Sequence, residues 1–146
     1  MKKFFLLIMF TVSLFSDVTD IFKDEINKPD FNINAYAKFD FMGGFADGKY
    51  KLKEYDIKYI KNNIYQLNLV FYKKKGIFRY IQKLKLYFYY KYPVVIFAYK
   101  NKKVKVNLTP KIKIEKVKNG YEIKKILNKQ IKIPIDNGVL YLFLSI

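Results

Sequence analysis

The chain has 146 residues and a formal net charge of +17, and it contains no cysteine, histidine or tryptophan. These absences exclude disulfides, a lipid anchor on an N-terminal cysteine, zinc sites with nitrogen or sulfur ligands, and catalysis by imidazole or thiolate. The hydrophobic fraction of 51% argues against disorder, and the length suits one domain.

The beginning of the sequence has the layout of a secretory signal peptide. Two lysines precede an uncharged run from Phe4 to Phe15, and Ser13 and Ser16 are small residues that suit cleavage. The run has about twelve residues, whereas a membrane-spanning helix needs roughly 20. We predict that residues 1–16 are a signal peptide and that residues 17–146 form a single exported domain. An uncleaved membrane anchor is the alternative.

Residues 17–28 predict a short amphipathic helix. Ile21, Phe22 and Ile26 fall on one side of such a helix, and Pro29 ends it. No other segment of the exported chain has a comparably clear helical pattern.

The rest of the chain alternates between apolar and polar residues, which is typical of half-buried β-strands. Phe31–Phe41 is apolar at every odd position. Lys49–Ile60 changes phase part-way, which predicts a β-bulge near Lys53-Glu54. Ile77–Lys83 fits either a strand or a helical stripe. The other predicted strands are Ile64–Tyr72, Leu84–Tyr92, Val94–Tyr99, Val104–Leu108, Lys111–Lys118, Tyr121–Ile126, Gln130–Ile135 and Val139–Ile146.

Turn signals join these strands into a series of hairpins. Asn119-Gly120 is the strongest short hairpin signal in the chain, and Asp136-Asn137-Gly138 is another tight turn. Pro93 marks a strand end or an edge strand. The sequence therefore predicts an all-β domain, an antiparallel sandwich or small barrel of about eight to nine strands with a short N-terminal amphipathic helix, its C-terminal half a meander.

Charge is distributed unevenly along the chain. The segment Asp17–Asp30 has a net charge of −3, whereas Lys49–Ile146 has +19. Nearly every base is lysine, and Arg79 is the sole arginine. Because arginine usually provides forked phosphate recognition, this balance disfavours nucleic acid as the partner. The abundance of lysine, isoleucine, asparagine and tyrosine also fits a compositional bias, so the charge alone leaves its functional meaning open.

One strand combines aromatic and basic residues on its predicted polar face. Lys83, Lys85, Tyr87, Tyr89 and Lys91 alternate with apolar residues and would lie together. Interleaved tyrosine and lysine can stack on rings while attracting negative charge, although the same pattern also suits an ordinary solvated sheet face. We predict these five residues as the candidate binding site.

The residues available for catalysis are a few carboxylates. Asp40, Asp47, Glu54 and Asp56 lie in or beside neighbouring predicted strands, but their spacing matches no calcium loop. We therefore predict a non-catalytic binding or assembly module of the cell envelope, periplasmic or secreted, with no metal or cofactor. Its partner would be an anionic or lipidic envelope component, a membrane surface or an envelope protein. A small outer-membrane β-barrel and a carboxylate-based hydrolase are the alternatives.

Overall fold

A computed structural model describes residues 29–146. The predicted signal peptide (1–16) and the predicted helix (17–28) lie outside the described residues. Within the described range the chain is all β, and no helix there is long and apolar enough to cross a membrane. Ten strands form: β1 (Asn32–Phe39), β2 (Gly48–Lys61), β3 (Ile64–Lys75), β4 (Phe78–Lys91), β5 (Val94–Tyr99), β6 (Lys102–Asn107), β7 (Lys111–Val117), β8 (Gly120–Ile126), β9 (Asn128–Ile135) and β10 (Gly138–Ser145).

Eight of the strands form one antiparallel sheet in the order β6-β5-β4-β3-β2-β1-β10-β9. The edge strands β6 and β9 approach each other, so the sheet nearly closes into a barrel. The all-β antiparallel prediction is confirmed, and of its two forms the barrel is the one observed. Strand β1 pairs with β10 along its whole length, from Asn32 opposite Ser145 to Phe39 opposite Gly138.

The interior of the barrel holds the apolar side chains that the alternation predicted. On β1 the odd-numbered residues are buried and the even-numbered ones face water or lie half-buried. Aromatic rings pack at both ends of the interior. At one end Tyr65 stacks on Phe88 with 4.9 Å between ring centroids, and at the other Phe39 packs edge-on against Tyr50. The largest fully buried side chains are Tyr50, Leu67, Leu69, Phe71, Leu86, Phe88, Val95, Phe97, Ile133, Leu140, Leu142 and Leu144.

A β-bulge divides β2 into two parts. The register with β3 shifts between Leu52 and Glu54, as the phase change in the sequence predicted. Before the bulge, Gly48–Lys51 pairs with the second half of β1. Beyond it, β2 pairs with β3 alone, because the bulge turns the strand away from β1.

The ambiguous segment Ile77–Lys83 is extended, since β4 runs unbroken from Phe78 to Lys91. Pro93 lies in the turn between β4 and β5, as predicted. The prediction of a C-terminal meander was wrong in one respect. Strands β7 and β8 form a separate two-stranded sheet around Asn119-Gly120, and β9 and β10 join the main sheet beside β1.

The up-and-down order of the strands gives the barrel two different ends. We call one the loop end, because it carries loop 40–47 and the β3–β4, β5–β6 and β9–β10 turns. We call the other the hairpin end, because the β7–β8 hairpin projects from it. The first described residue, Pro29, also lies at the hairpin end.

Candidate functional site

The five residues predicted as a site lie where the alternation placed them. Lys83, Lys85, Tyr87 and Lys91 are exposed on the outer face of β4, and Tyr89 is half-buried beside them. We call them the β4 surface. Tyr87 lies opposite Gln66 and Ala98, so its flanking strands supply small or uncharged neighbours. Among the described residues, no other ring stacks on Tyr87 or Tyr89.

A second group of rings and lysines, which the sequence did not single out, forms where β1 pairs with β10. Tyr36 lies directly opposite Tyr141, and their rings stack with 4.6 Å between centroids. Phe143 stacks on the same Tyr36 ring at 5.7 Å. All three are half-buried on the outside of the barrel.

Three ammonium groups surround these rings. Lys49 Nζ lies 4.4 Å from the centroid of Tyr36, and the Nζ atoms of Lys38 and Lys132 lie 5.8 Å and 5.9 Å from the centroid of Tyr141. These distances are within the range of cation–π attraction, which holds each ammonium near the ring. We call the three rings and three lysines the aromatic–lysine cluster.

The cluster concentrates positive charge within four consecutive strands of the sheet, β2, β1, β10 and β9. Its lysines come from β1, β2 and β9, and no carboxylate belongs to the group. Like charges brought together raise the local potential, and an anion that enters between them relieves their repulsion. The arrangement can therefore bind negative charge, with two phenol groups close by as hydrogen-bond donors.

Several acids of the described surface are already engaged by lysines. Lys100 donates to Asp136 and holds the pKa of that carboxyl below its usual value. Lys124 and Lys113 both donate to Glu115, at 3.0 Å each, and lower its pKa in the same way. Since lysines far outnumber acids, these pairs leave the outer surface strongly positive.

The loop end carries a third feature, a set of apolar side chains in contact with water. Met42 is 99% exposed and Ile77 is 92% exposed, and Phe45 and Phe78 are also exposed. Met42 and Phe45 belong to loop 40–47, and the other two belong to the β3–β4 turn and the start of β4. We call these four residues the loop-end patch.

Specific hydrogen bonds hold loop 40–47 in shape. The carboxylate of Asp47 accepts from the backbone N–H of Phe41 at 2.7 Å and of Gly43 at 2.6 Å. Lys73 reaches across from β3 and donates to the carbonyls of Phe45, at 2.8 Å, and Asp47. The loop is therefore tied to β3, the strand that leads into the β3–β4 turn.

The divergence of β1 and β2 opens a cleft of about 1100 Å³ at the hairpin end. Phe31, Tyr55, Ile57 and Tyr65 line it, and Pro29 lies at its rim. Burial, with Tyr59 and Tyr90 nearby, raises the pKa of Tyr65 to about 12. The first described residues, Pro29 to Phe31, thus lie along this cleft.

The four carboxylates considered for catalysis do not converge. Asp47 organises loop 40–47, and Asp40 accepts from the backbone N–H of Met42 at 3.0 Å in the same loop. Asp56 lies beyond the bulge and accepts from Asn68 at 3.4 Å. Among the described residues, no group of three or more acids is placed to hold a metal ion.

Comparison with known proteins adds no relative: no family model, no curated protein and no solved structure matches this chain.

Sequence reasoning missed the aromatic–lysine cluster and the loop-end patch for different reasons. The cluster depends on the pairing of β1 with β10, which are about a hundred positions apart in sequence, and no local pattern predicts such a contact. The loop-end patch did leave a signal. Met42, Phe45 and Ile77 are large apolar residues inside turns, where polar residues are the usual choice.

Proposed function

We propose that the chain is an exported, non-catalytic binding module of the cell envelope, and that its partner is negatively charged. The observation that carries this proposal is the aromatic–lysine cluster. Three lysines from three strands converge on stacked rings without a carboxylate among them. Export rests on the signal-like sequence of residues 1–16.

The alternatives receive less support from the described residues. A small outer-membrane barrel needs an apolar band facing outward. Here the core apolar side chains are buried inside the barrel, and lysines such as Lys51, Lys83 and Lys85 interrupt the outer face. A carboxylate-based hydrolase needs two acids that flank one substrate bond. Asp40 and Asp47 instead accept hydrogen bonds from backbone N–H groups of their own loop.

Binding to an anionic polymer tests the proposal. We expect the chain to bind polygalacturonate and not neutral dextran of similar length. The affinity should fall steeply between 0.1 M and 1 M salt, because the Debye length shrinks from about 10 Å to about 3 Å. Fluorescence anisotropy with labelled polymer measures both quantities.

Two triple variants with the same change of charge locate the binding surface. Lys38→Gln/Lys49→Gln/Lys132→Gln neutralises the aromatic–lysine cluster, and Lys83→Gln/Lys85→Gln/Lys91→Gln neutralises the β4 surface. We expect the first to weaken binding at least about tenfold more than the second, since converging charges act together on one anion. The reverse order would assign the site to the β4 surface. Salt-insensitive or absent binding to every anionic surface tested would refute the proposed function.

A further inference from the structure

We propose that the loop end docks onto an anionic lipid bilayer, with the loop-end patch inserted among the headgroups. This inference rests on the proposed function, because it gives a class to the negatively charged partner. Met42 and Ile77 are exposed almost completely, and Phe45 and Phe78 more than half. Large apolar side chains at loop tips lose water contact when they enter the boundary between headgroups and acyl chains.

Cations surround the patch. Lys73, Lys74 and Lys75 precede the β3–β4 turn, and Arg79, the sole arginine of the chain, follows it. Lys75 Nζ lies 5.9 Å from the centroid of the Phe45 ring, so a positive charge lies beside the apolar surface, within the range of cation–π attraction. Anionic headgroups attract each such cation, at a strength that corresponds to about fivefold in affinity per charge.

The acids of loop 40–47 accept hydrogen bonds from backbone N–H groups of the loop itself. Asp47 accepts from two backbone N–H groups, and Asp40 accepts from Met42 N–H. Both carboxylates are therefore already engaged by N–H groups of the loop. The aromatic–lysine cluster extends the positive surface, because Lys38 and Lys49 pair with each other at the end of β1 next to this loop.

A bilayer fits this surface better than a second copy of the chain does. Two copies that met through their loop ends would bring together two patches of the same sign, on chains of net charge +17 each. The patch is also formed by loop tips at one end of the barrel, a shape that enters a soft interface readily. Since Lys73 ties loop 40–47 to β3, the tips are held in place before they meet the membrane.

Vesicle binding provides the test. The unmodified chain and all variants are expressed with their own N-terminal residues and purified in the same way. Any contribution of the N-terminus to vesicle binding is then the same in every sample. The vesicles contain phosphatidylglycerol and phosphatidylcholine at a ratio of one to three, with phosphatidylcholine alone as reference. Met42→Ser/Ile77→Ser should lower the affinity for the anionic vesicles at least about tenfold, because two inserted side chains lose their apolar contact with lipid.

The hairpin end supplies a matched control. Ile112 and Ile123 are also exposed, 58% and 67%, but at the opposite end of the barrel. Ile112→Ser/Ile123→Ser should leave vesicle affinity within about twofold of the unmodified chain, because these residues stay in water. None of the four residues is buried, so neither double variant threatens the fold.

Fluorescence gives an independent readout, since the chain contains no tryptophan. With anionic vesicles, emission should shift to shorter wavelength for Phe45→Trp and stay unshifted for Ile123→Trp. A loss of affinity or an emission shift confined to the hairpin variants would overturn the proposal. If the unmodified chain binds polygalacturonate but not anionic vesicles, bilayer docking is refuted and the proposed function stands. If it binds neither, bilayer docking and the proposed function are both refuted.

Discussion

The barrel and the β7–β8 hairpin are built from the same alternation of apolar and charged residues, yet only the barrel buries its apolar side chains. Ile114 lies directly opposite Ile123 in the hairpin, and these residues are 65% and 67% exposed. Ala35 lies opposite Leu142 in the barrel, and both are buried. Alternation is therefore enough to make a strand pair, whereas burial needs other strands to cover the apolar face.

Ion pairs on the other face of the hairpin offset part of the stability that it lacks through missing burial. Glu115 accepts from Lys113 on its own strand and from Lys124 on the partner strand, which links the two strands across the ribbon. Such exposed pairs contribute little, typically under about 1 kcal/mol each. Because an isolated two-stranded hairpin is marginally stable in water, we expect the hairpin to open more readily than the barrel.

The largest expected effect comes from a truncation inside the barrel. Leu86 is fully buried on β4, so Leu86→Ala should lower the free energy of unfolding by about 2–5 kcal/mol. Ile123→Ala, at an exposed hairpin position, should change it by less than about 0.5 kcal/mol. Urea unfolding monitored by circular dichroism measures both. Lys85→Ala, on the outer face of the same strand, is the control. If it lowered the free energy of unfolding as much as Leu86→Ala, the inward and outward faces of β4 would be misassigned.

Replacing a glycine with alanine compares a turn of the barrel with the turn of the β7–β8 hairpin. A Cβ on Gly138 would overlap the backbone carbonyl of Lys38 and lie 3.1 Å from Phe39 Cα, so the β1–β10 pair would have to separate. Gly138→Ala should therefore cost about 3 kcal/mol of unfolding free energy. Thermal unfolding checks it, and an unchanged melting temperature would contradict the close approach of the two strands.

The stability of the fold at alkaline pH should depend on a tyrosine buried in the barrel interior. Burial raises the pKa of Tyr65 to about 12 in the folded chain, against 10.0 for an unperturbed tyrosine. The folded state thus holds the proton more tightly, and this contribution to stability is complete below pH 10 and is lost as the pH rises toward 12. The melting temperature should fall less steeply over this interval in Tyr65→Phe. Tyr121→Phe, in the exposed hairpin, should leave the pH dependence of the melting temperature the same as in the unmodified chain.

The smallest effect is expected in the hairpin turn. Gly120 has φ +138°, a conformation that residues with a Cβ rarely adopt, and nothing lies within 4 Å of an added Cβ. Gly120→Ala should strain the hairpin alone and change the global unfolding free energy by less than about 0.5 kcal/mol. Hydrogen exchange should nevertheless show faster exchange of the β7 and β8 amides. Faster exchange in β9 or β6 would mean that the hairpin and the barrel open together.

Much of the local structure was readable from the chain. The period of two along Phe31–Phe41 placed the inward face of β1, and the phase change near Lys53-Glu54 located the bulge. The outward position of Lys83, Lys85 and Tyr87 followed from the same rule. These features depend on neighbours one or two positions away, and the alternation of side chains in a strand encodes them directly.

By itself, then, the sequence determined the all-β class, most strand positions and the faces that the strands present. Only the tertiary structure decided that β10 returns to β1, that the sheet curves into a barrel, and that β7 and β8 stay outside it. It thereby decided which lysines meet which rings, as when Lys49 of β2 lies over Tyr36 of β1 beside Tyr141 of β10. The physical reason is that strand pairing between distant segments depends on the closure of the whole sheet, because backbone hydrogen bonds are alike for every strand and only the combined fit of the buried side chains selects the partners.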